Sequence, residues 1–366
     1  MQLALYRRFR PTTFDEVIGQ DHIVSALKNQ VISGNIGHAY LLCGTRGTGK
    51  TSCAKIFAKA INCLHQKNGS PCKECEVCLS LDQPNNVDIS EIDAASNNGV
   101  DEIRSIRERI KYPPIYGKYK VYIIDEVHML TDSAFNALLK TLEEPPKHVV
   151  FILATTESYK LPATILSRCM RFDFRLVSKD ELVKQIKKVF DKIGVTYDEQ
   201  AVEEIALSAE GSVRDALSIA DCVVAFAGKN VTYQKVVEIL GTNDRSSVLN
   251  LTDKILSKDL GGVLEQLDEI CKQGKNLVAL NKEMTIHFKD LIVTKNCKDA
   301  KKMLNLSDET FEKYKKQAEN TDGQTLLVFM QKFSEIESEL KYALSPRTLI
   351  ELVCLECASF EMQKKN

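Results

Sequence analysis

Residues 44–51 read Gly44-Thr45-Arg46-Gly47-Thr48-Gly49-Lys50-Thr51, with Ser52 next, a complete G-x-x-x-x-G-K-T phosphate loop. Glycines let the backbone turn tightly and aim several amide N–H groups at anionic oxygens. In such a loop the lysine ammonium, here Lys50, reaches the β- and γ-phosphates, and the Thr51 hydroxyl ligates Mg²⁺. A glycine-rich turn could match the pattern by chance. The apolar run 38–43 before the loop, a helical run after it and an acidic pair downstream argue against that reading. The pair is Asp125-Glu126, directly after Val121-Tyr122-Ile123-Ile124. It could be an ordinary helix-start pair, but that would leave the phosphate loop without a metal partner. At the carboxyl end of a buried strand, Asp125 is expected to hold the metal and Glu126 to polarise the attacking water. The residues therefore predict binding of a nucleoside triphosphate with magnesium, and its hydrolysis.

A second cluster is made of cysteines. Cys63 is followed by Cys72-x-x-Cys75-x-x-Cys78, among the turn-forming Gly69, Ser70 and Pro71. Closely spaced thiolates can converge on one tetrahedral ion, so a four-cysteine zinc site is the leading reading, with an iron–sulfur centre as its rival. His65 is left out of the set. Cys354 and Cys357 fall on a run with helical periodicity and read as small buried hydrophobes. Cys43, Cys53, Cys169, Cys222, Cys271 and Cys297 are scattered and take the same assignment.

These residues need elements to carry them. Strand-like runs at 39–43, 87–92, 121–125 and 149–155 alternate with helical runs at 51–61, 100–110 and 133–142. That alternation predicts a parallel sheet covered by helices on both faces. Beyond Phe174 only helical periodicity remains. Runs at 180–193, 199–208, 213–227 and 233–240 form a small helical domain, residues 241–244 read as a turn, and the rest is helical. The chain has 366 residues, enough for two or three domains, and a formal net charge of −1. So even a balance argues against a simple DNA-coating protein and requires any nucleic-acid contact to come from a local basic surface. No apolar run approaches the ~20 residues of a membrane span. No secretory signal opens the sequence, so a cytoplasmic location and no membrane partner are expected.

The order of phosphate loop, Asp-Glu strand and small helical domain resembles the AAA+ ATPases. That resemblance implies an α/β P-loop domain, a helical lid and an all-α collar, placed at 1–176, 177–242 and 243–366. It implies ATP as the nucleotide. It gives Thr155 the sensor 1 position and Arg214 the sensor 2 position, reaching from the lid, although Arg214 could be a surface arginine in a first helical turn. Ser167-Arg168-Cys169 is similar to the triplet of clamp-loader subunits, in which the arginine acts as a finger in a neighbouring subunit's ATP site. A surface arginine before a strand is the bland alternative.

Further stretches resemble the bacterial DNA polymerase III gamma/tau family. They include Arg8-Phe9-Arg10-Pro11-Thr12-Thr13-Phe14, Val17-Ile18-Gly19-Gln20, Glu91-Ile92-Asp93-Ala94-Ala95-Ser96, Asp125-Glu126-Val127-His128-Met129-Leu130 and Leu138-Leu139-Lys140-Thr141-Leu142-Glu143-Glu144-Pro145-Pro146. The cysteine insert fits that family, and Ser345-Pro346-Arg347 is similar to its collar. The resemblance implies a motor that loads a sliding clamp on primer–template DNA, with delta and delta-prime subunits and further copies of itself as partners. Because the sequence ends at Asn366, it corresponds to the motor portion without the long tail of the tau form, and tail-dependent binding is not expected. Arg10, Pro11, Val17 and Ile18 are assigned to the adenine, against plain packing of an N-terminal arm. Arg104, Arg107 and Lys111, on a helix entered through 97–101, are candidates for phosphate contacts with DNA. Glu102 and Glu108 share that helix, so a solvated mixed-charge face competes with the assignment. The functional alternatives are a branch-migration remodeller and a non-hydrolysing scaffold resembling delta-prime. The intact Gly49-Lys50-Thr51 and Asp125-Glu126 favour hydrolysis.

Overall fold

The computed structural model describes residues 3–83, 86–240, 245–274, 276–304, 306, 308–340 and 342–360. They divide into two compact units, Met1–Tyr233 and Gln234–Asn366.

The first unit is organised by five strands: β1 (Ala39–Cys43), β2 (Ile89–Asp93), β3 (Lys120–Asp125), β4 (Val149–Thr155) and β5 (Met170–Asp173). All pair in parallel, in the order β2-β3-β4-β1-β5. Strands alternate their side chains between faces, and β1 shows why it needs cover on both. Ala39, Leu41 and Cys43 join one core with Ile103, Leu138 and Leu153; Tyr40 and Leu42 join the other with Phe57, Ile123 and Ile152. The continuous burial of β1 and β4 is what a parallel sheet between two helical layers requires.

Register then aligns the strand ends. Cys43 pairs with Thr155 and with Asp173, and Asp93 pairs with Asp125. The phosphate loop, the Asp-Glu pair and Thr155 thus emerge along one edge of the sheet, the carboxyl edge at which α/β folds bind ligands.

The four strands expected from sequence are present, β2 beginning two residues later than read. The fifth, β5, was not among the strand-like runs, although the alternative reading of Arg168 set that arginine before a strand. Met-Arg-Phe-Asp lies at the sheet edge with three of its four residues exposed, so it carries no apolar run to mark it. A two-stranded ribbon, Thr196–Tyr197 with Asn230–Val231, also escaped the reading, being too short for any periodicity.

Lid helices follow at Lys179–Ile193, Glu199–Ser208 and Val213–Ala227. A reciprocal Ser178–Glu181 capping box starts the first, and Ser212 caps the third. Helix Tyr233–Leu240, grouped with the lid in the sequence reading, continues past the division between the two units. The turn expected at 241–244 lies outside the described residues.

The second unit is helical throughout its described residues. Its core gathers Leu251, Leu267, Met284, Phe288, Phe333 and Ile350 from five helices. Cys354 and Cys357 are buried there, as their periodicity predicted. Among the scattered cysteines Cys43 and Cys53 are buried, Cys169, Cys271 and Cys297 are partly so, and Cys222 is exposed, against expectation. It lies on the outer face of the amphipathic helix Val213–Ala227, whose buried stripe is Ala216, Leu217, Ala220 and Val223. No helix among the described residues is long and apolar enough to cross a membrane.

Candidate functional site

The phosphate loop takes a conformation that its glycines make possible. Gly44 has φ +144° and Gly47 φ +79°, both in territory that a side chain disfavours. Space is as restrictive as torsion: a Cβ on Gly44 would lie 2.6 Å from the Phe174 carbonyl oxygen, and one on Gly47 1.9 Å from Ser212 Oγ. The loop is therefore pressed between the sheet and the lid.

Lys50 opens helix Lys50–Ala60 and is buried. Its ammonium donates to the carbonyl oxygens of Gly44 (2.7 Å) and Thr45 (2.8 Å). Burial lowers its pKa, against the opposing pull of Glu126 and Asp125. A desolvated ammonium held only by neutral carbonyls can exchange them for phosphate oxygens, which restore its charge balance. One residue on, Thr51 Oγ1 donates to Asp125 Oδ2 at 2.7 Å, so the two expected magnesium ligands meet across 74 residues of sequence. A hydroxyl and a carboxylate oxygen at one point are hard oxygen donors of the kind Mg²⁺ prefers.

Glu126 follows with φ +47°, a left-handed conformation that is costly for a residue with a side chain. The turn sends its carboxylate away from the strand. Oε2 accepts from Thr156 Oγ1 (3.0 Å) and from the Thr156 N–H (3.3 Å), with His128 Nδ1 at 3.5 Å. His128 Nδ1 also lies 3.0 Å from Thr155 Oγ1, which accepts from the Glu157 N–H at 3.0 Å. Thr155 is thus fully buried and committed within the protein, while its neighbour Thr156 holds Glu126. Neither Thr156 nor His128 was given a role from sequence. The signal for Thr156 was adjacency to Thr155, and for His128 its place two residues after Glu126.

A cavity of about 650 Å³, within the usual size of ligand sites, opens over these groups. Arg46, Gly47, Thr48, Gly49, Lys50, Thr51, Ser52, Asp125 and Glu126 line it, as do Arg10, Pro11, Val17 and Ile18 from the N-terminal arm. Gly44 and Thr45 stand behind that lining and enter through their carbonyls on Lys50. Arg10 Nε donates to Ser52 Oγ at 3.0 Å, tying the arm to the phosphate-loop helix.

The lid closes the far side. The N–H groups of Val213 and Arg214 donate to the Gly47 carbonyl at 3.1 and 3.4 Å, and the Arg214 side chain lines the cavity with its guanidinium over the Tyr6 ring. Tyr6, Glu16 and Gln185 also line the cavity, as do Arg7, Phe9, Lys55, Glu91, Val213 and Leu217, and none of these was assigned to the site from sequence, since nothing local marks them for it.

Thr155 is not among the residues that line the cavity, and four further sequence candidates lie elsewhere. Arg168 does not line the cavity of its own chain. One of its terminal nitrogens donates to Glu143 Oε1 at 2.9 Å and the other to the Thr164 carbonyl at 2.8 Å. Arg104, Arg107 and Lys111 are exposed, on or just beyond helix Val100–Arg109, with Arg104 paired to Asp101 and Lys111 to Glu108.

The cysteines converge. Sulfurs of Cys63, Cys72, Cys75 and Cys78 all lie within 4.8 Å of one another, and Cys72 and Cys78 are 3.9 Å apart. The sulfur–sulfur edge of a tetrahedron with ~2.3 Å zinc–sulfur bonds is ~3.8 Å. A polynuclear cluster has more atoms between its ligands and would hold the sulfurs farther apart, so the spacing fits a single ion. The N–H groups of Cys72, Cys75 and Cys78 each point at a cysteine sulfur, at 3.3, 3.3 and 3.4 Å. Burial raises the Cys72 thiol, but the N–H groups of Glu74 and Cys75 outweigh it and bring the pKa down to about 6. Cys75 is lowered as well, whereas burial raises Cys63 and Cys78, so the cluster by itself favours thiolate at two of its four sulfurs and the other two need a cation to ionise.

Comparison with known proteins adds to this geometry. Residues 19–178 match the model "DNA polymerase III, delta subunit", 181–229 the model "DNA polymerase III clamp loader subunit, ATPase lid domain", and 231–366 the model "DNA polymerase III subunits gamma and tau domain III". The Bacillus subtilis DNA polymerase III subunit tau is 42% identical over 355 residues, 96% of this chain and 62% of that protein. The DNA polymerase III subunit gamma of Buchnera aphidicola is 42% identical over 270 residues, 74% of this chain and 75% of that protein. The chain thus spans about three-fifths of the Bacillus relative. Among solved structures, the Thermotoga maritima RuvB Holliday junction branch migration motor superposes with a TM-score of 0.50 over 68% of this chain and 79% of that one, at 21% identity. That likeness concerns the fold.

Proposed function

This chain belongs to the DNA polymerase III gamma/tau family, and from that membership and the geometry of the cavity we propose that it is an ATP-hydrolysing motor subunit of a sliding-clamp loader. The observation that carries the proposal is the hydrogen bond from Thr51 to Asp125 at 2.7 Å, beside a buried Lys50 in one cavity with Glu126 and Arg214. It supports an intact hydrolytic site and not a scaffold with a degraded loop.

ATP is seated by the chain's own groups. Lys50 exchanges the carbonyls of Gly44 and Thr45 for the β- and γ-phosphates, and the loop amides surround them. Arg10, Pro11, Val17 and Ile18 face the adenine. Thr51 and Asp125 would hold magnesium, which would supply charge neutralisation to the phosphates. Glu126 orients and polarises water once it swings from Thr156. Arg214 answers the phosphates from the lid, and Thr155 steadies the strand end through His128. The zinc reading of the cysteine cluster rests on its single-ion spacing.

Arg168 faces outward and acts on the ATP of a neighbouring subunit. Its fork across Glu143 and the Thr164 carbonyl keeps the guanidinium extended at the surface of its own chain. The wider assembly comprises further copies of this chain, delta and delta-prime subunits, the sliding clamp and primer–template DNA, in the cytoplasm. Arg104, Arg107 and Lys111 contribute phosphate contacts. The domain plan is the nucleotide-binding part at 1–176, the lid at 177–242 and the collar at 243–366.

The test is ATP hydrolysis by this chain mixed with delta and delta-prime subunits, with and without clamp and primed DNA, beside an Arg168→Ala control. Stimulation that needs both clamp and DNA and is lost with Arg168 is the expected result. Hydrolysis indifferent to the clamp would assign a different AAA+ machine, and none at all in a verified complex would assign a scaffold.

A further inference from the structure

The four-cysteine cluster and the nucleotide cavity lie at opposite ends of one helix. Cys63 follows the end of helix Lys50–Ala60, its N–H bonded to the Ala60 carbonyl at 3.2 Å, so one metal ligand rides on the helix whose first residues are Lys50 and Thr51. Cys72 lies in a loop that reaches across to the N-terminal arm, Cys75 caps the short helix Glu76–Leu81 that follows it, and Cys78 lies within that helix. Within the loop Lys67 and Ser70 close a tight turn, exchanging backbone hydrogen bonds at 2.9 Å each way. Gly69 at the tip fits so closely that a Cβ would lie 2.9 Å from Lys28 Cα.

Two side chains of this loop grip the arm. Ser70, buried at 3% exposure, accepts the Phe14 N–H at 3.2 Å, and Lys73 donates to Thr12 Oγ1. Thr12 in turn bonds Glu16 through its N–H (2.7 Å) and hydroxyl (3.0 Å), and Glu16 lines the nucleotide cavity together with Pro11, Val17 and Ile18. Phe14 itself is buried in the same core as Val17 and Phe57. Ser70 and Lys73 both lie between Cys63 and Cys75 in sequence, and Lys73 sits at φ +66°, a conformation set by the Cys72-x-x-Cys75 turn around the ligand sulfurs.

We infer that the four-cysteine site braces the nucleotide cavity: a metal ion held by Cys63, Cys72, Cys75 and Cys78 fixes Ser70 and Lys73, these position residues 12–16, and metal occupancy thereby strengthens nucleotide binding. Ser70 and Lys73 are positioning residues, acting on the nucleotide only through the arm. Without the ion, the Lys67–Ser70 turn and the Gly69 contact with Lys28 remain, but the restraint on Cys72 and Cys75 that frames Lys73 is lost, and the order of the arm falls with it. Coupling of this kind is reciprocal, so ATP must tighten metal binding by the same factor that the metal tightens ATP. The inference rests on the nucleotide reading of the cavity but not on the clamp.

The experiment measures the ATP dissociation constant of the full chain calorimetrically in three forms: loaded with one Zn²⁺, stripped by chelator and returned to magnesium buffer, and Ser70→Ala loaded with Zn²⁺. Stripping is expected to weaken ATP binding about fivefold or more. Ser70→Ala, which leaves the buried Phe14 N–H without its acceptor, is expected to weaken it roughly threefold to tenfold with zinc content unchanged by elemental analysis. Lys67→Ala, on the same loop but away from the arm, is expected to bind as wild type does. In chelator competition, saturating ATP is expected to raise Zn²⁺ affinity by the stripping factor. If stripped protein of unchanged circular dichroism binds ATP as tightly as loaded protein, the brace is refuted. Should stripping unfold the chain, Ser70→Ala decides, and an unchanged dissociation constant there is equally fatal. A zinc-loaded wild type that binds no ATP removes the nucleotide reading itself, which is a different failure from ATP binding indifferent to metal.

Discussion

Both units of the molecule bury polar groups, but they satisfy them in different ways. In the second unit Gln317 is buried and fully used: its amide nitrogen donates to the Leu249 carbonyl (3.0 Å) and to Asp253 (2.8 Å), and its oxygen meets His287 Nε2 at 2.8 Å. Three helices are joined by that one side chain. In the first unit Lys50 is also buried and hydrogen-bonded, yet its partners are two neutral carbonyls of its own loop, at the floor of a cavity. The Gln317 network is matched, with a donor for every acceptor it meets, so nothing is gained by exchanging a partner. An ammonium on carbonyls is mismatched in charge and gains much from an anion. Burial of a polar side chain does not distinguish a site from a scaffold; the mismatch with its partners does.

The comparison predicts that losses at mismatched groups appear in function and losses at matched groups in stability. The largest expected effect falls at Arg168, whose partner within its own chain is matched in charge but whose proposed target is the ATP of another subunit. Its guanidinium pairs with Glu143 on the surface, where an ion pair contributes little to folding. Arg168→Ala is expected to leave thermal stability within about 0.5 kcal/mol of wild type and to lower the stimulated hydrolysis of the assembled loader ~10³-fold, the effect of losing an arginine finger. A rate within tenfold of wild type in a verified complex would remove the finger.

Lys50 comes next. Burial lowers its pKa, so at neutral pH the charged form is less favourable in the fold than in the unfolded chain, and that penalty lasts until pH rises through the folded pKa. Lys50→Ala is therefore expected to weaken ATP binding about a hundredfold, the scale of removing a desolvated charge contact, without a drop in melting temperature. Chemical denaturation and nucleotide titration of one preparation check both halves. A large loss of stability would make Lys50 a structural group like Gln317.

Gln317 is the converse. Gln317→Leu keeps much of the volume while cutting the ties to Leu249, Asp253 and His287, and is expected to cost the second unit about 2 kcal/mol. ATP affinity, measured on the same sample, should not move. Weakened ATP binding with intact folding would mean that this network also serves the nucleotide.

The sequence displayed the groups whose chemistry is contiguous. Eight consecutive residues make the phosphate loop, and three cysteines at fixed steps with Cys63 nearby make the four-sulfur cluster, because backbone geometry brings them together. The sheet was equally legible where strands are buried on both faces, as β1 and β4 are. What it concealed depends on contacts between distant segments. The edge strand β5 owes its pairing to β1 and not to its own composition. Gly47 fits against Ser212, and Ser70 against Phe14, across 165 and 56 residues. Tyr6 and Gln185 line the cavity only because arm and lid fold over it. Arg214 was found by the order of motifs, whereas its partner Tyr6 had no pattern to betray it.

Thr156 carries the smallest predicted effect, and it tests whether a matched bond can sit inside a mismatched site. Glu126 Oε2 takes both the hydroxyl and the N–H of Thr156, a satisfied arrangement of the kind seen around Gln317, although Glu126 is the carboxylate proposed to polarise water. As long as those bonds hold, that oxygen is occupied and aimed at the end of strand β4. Thr156→Ala removes the hydroxyl and leaves the weaker N–H contact at 3.3 Å. The loss of one hydrogen bond to a charged group, ~1 kcal/mol or somewhat more, predicts a roughly threefold to tenfold rise in hydrolysis without clamp or DNA. The fully stimulated rate should stay the same, because in that state Glu126 has already left Thr156. Thr156→Ser, which restores the hydroxyl, should return the basal rate to wild type. If basal and stimulated rates instead fall together in Thr156→Ala and recover in Thr156→Ser, Thr156 aims Glu126 productively. The pair would then be part of the catalytic geometry throughout the cycle, not a resting contact that the cycle must break.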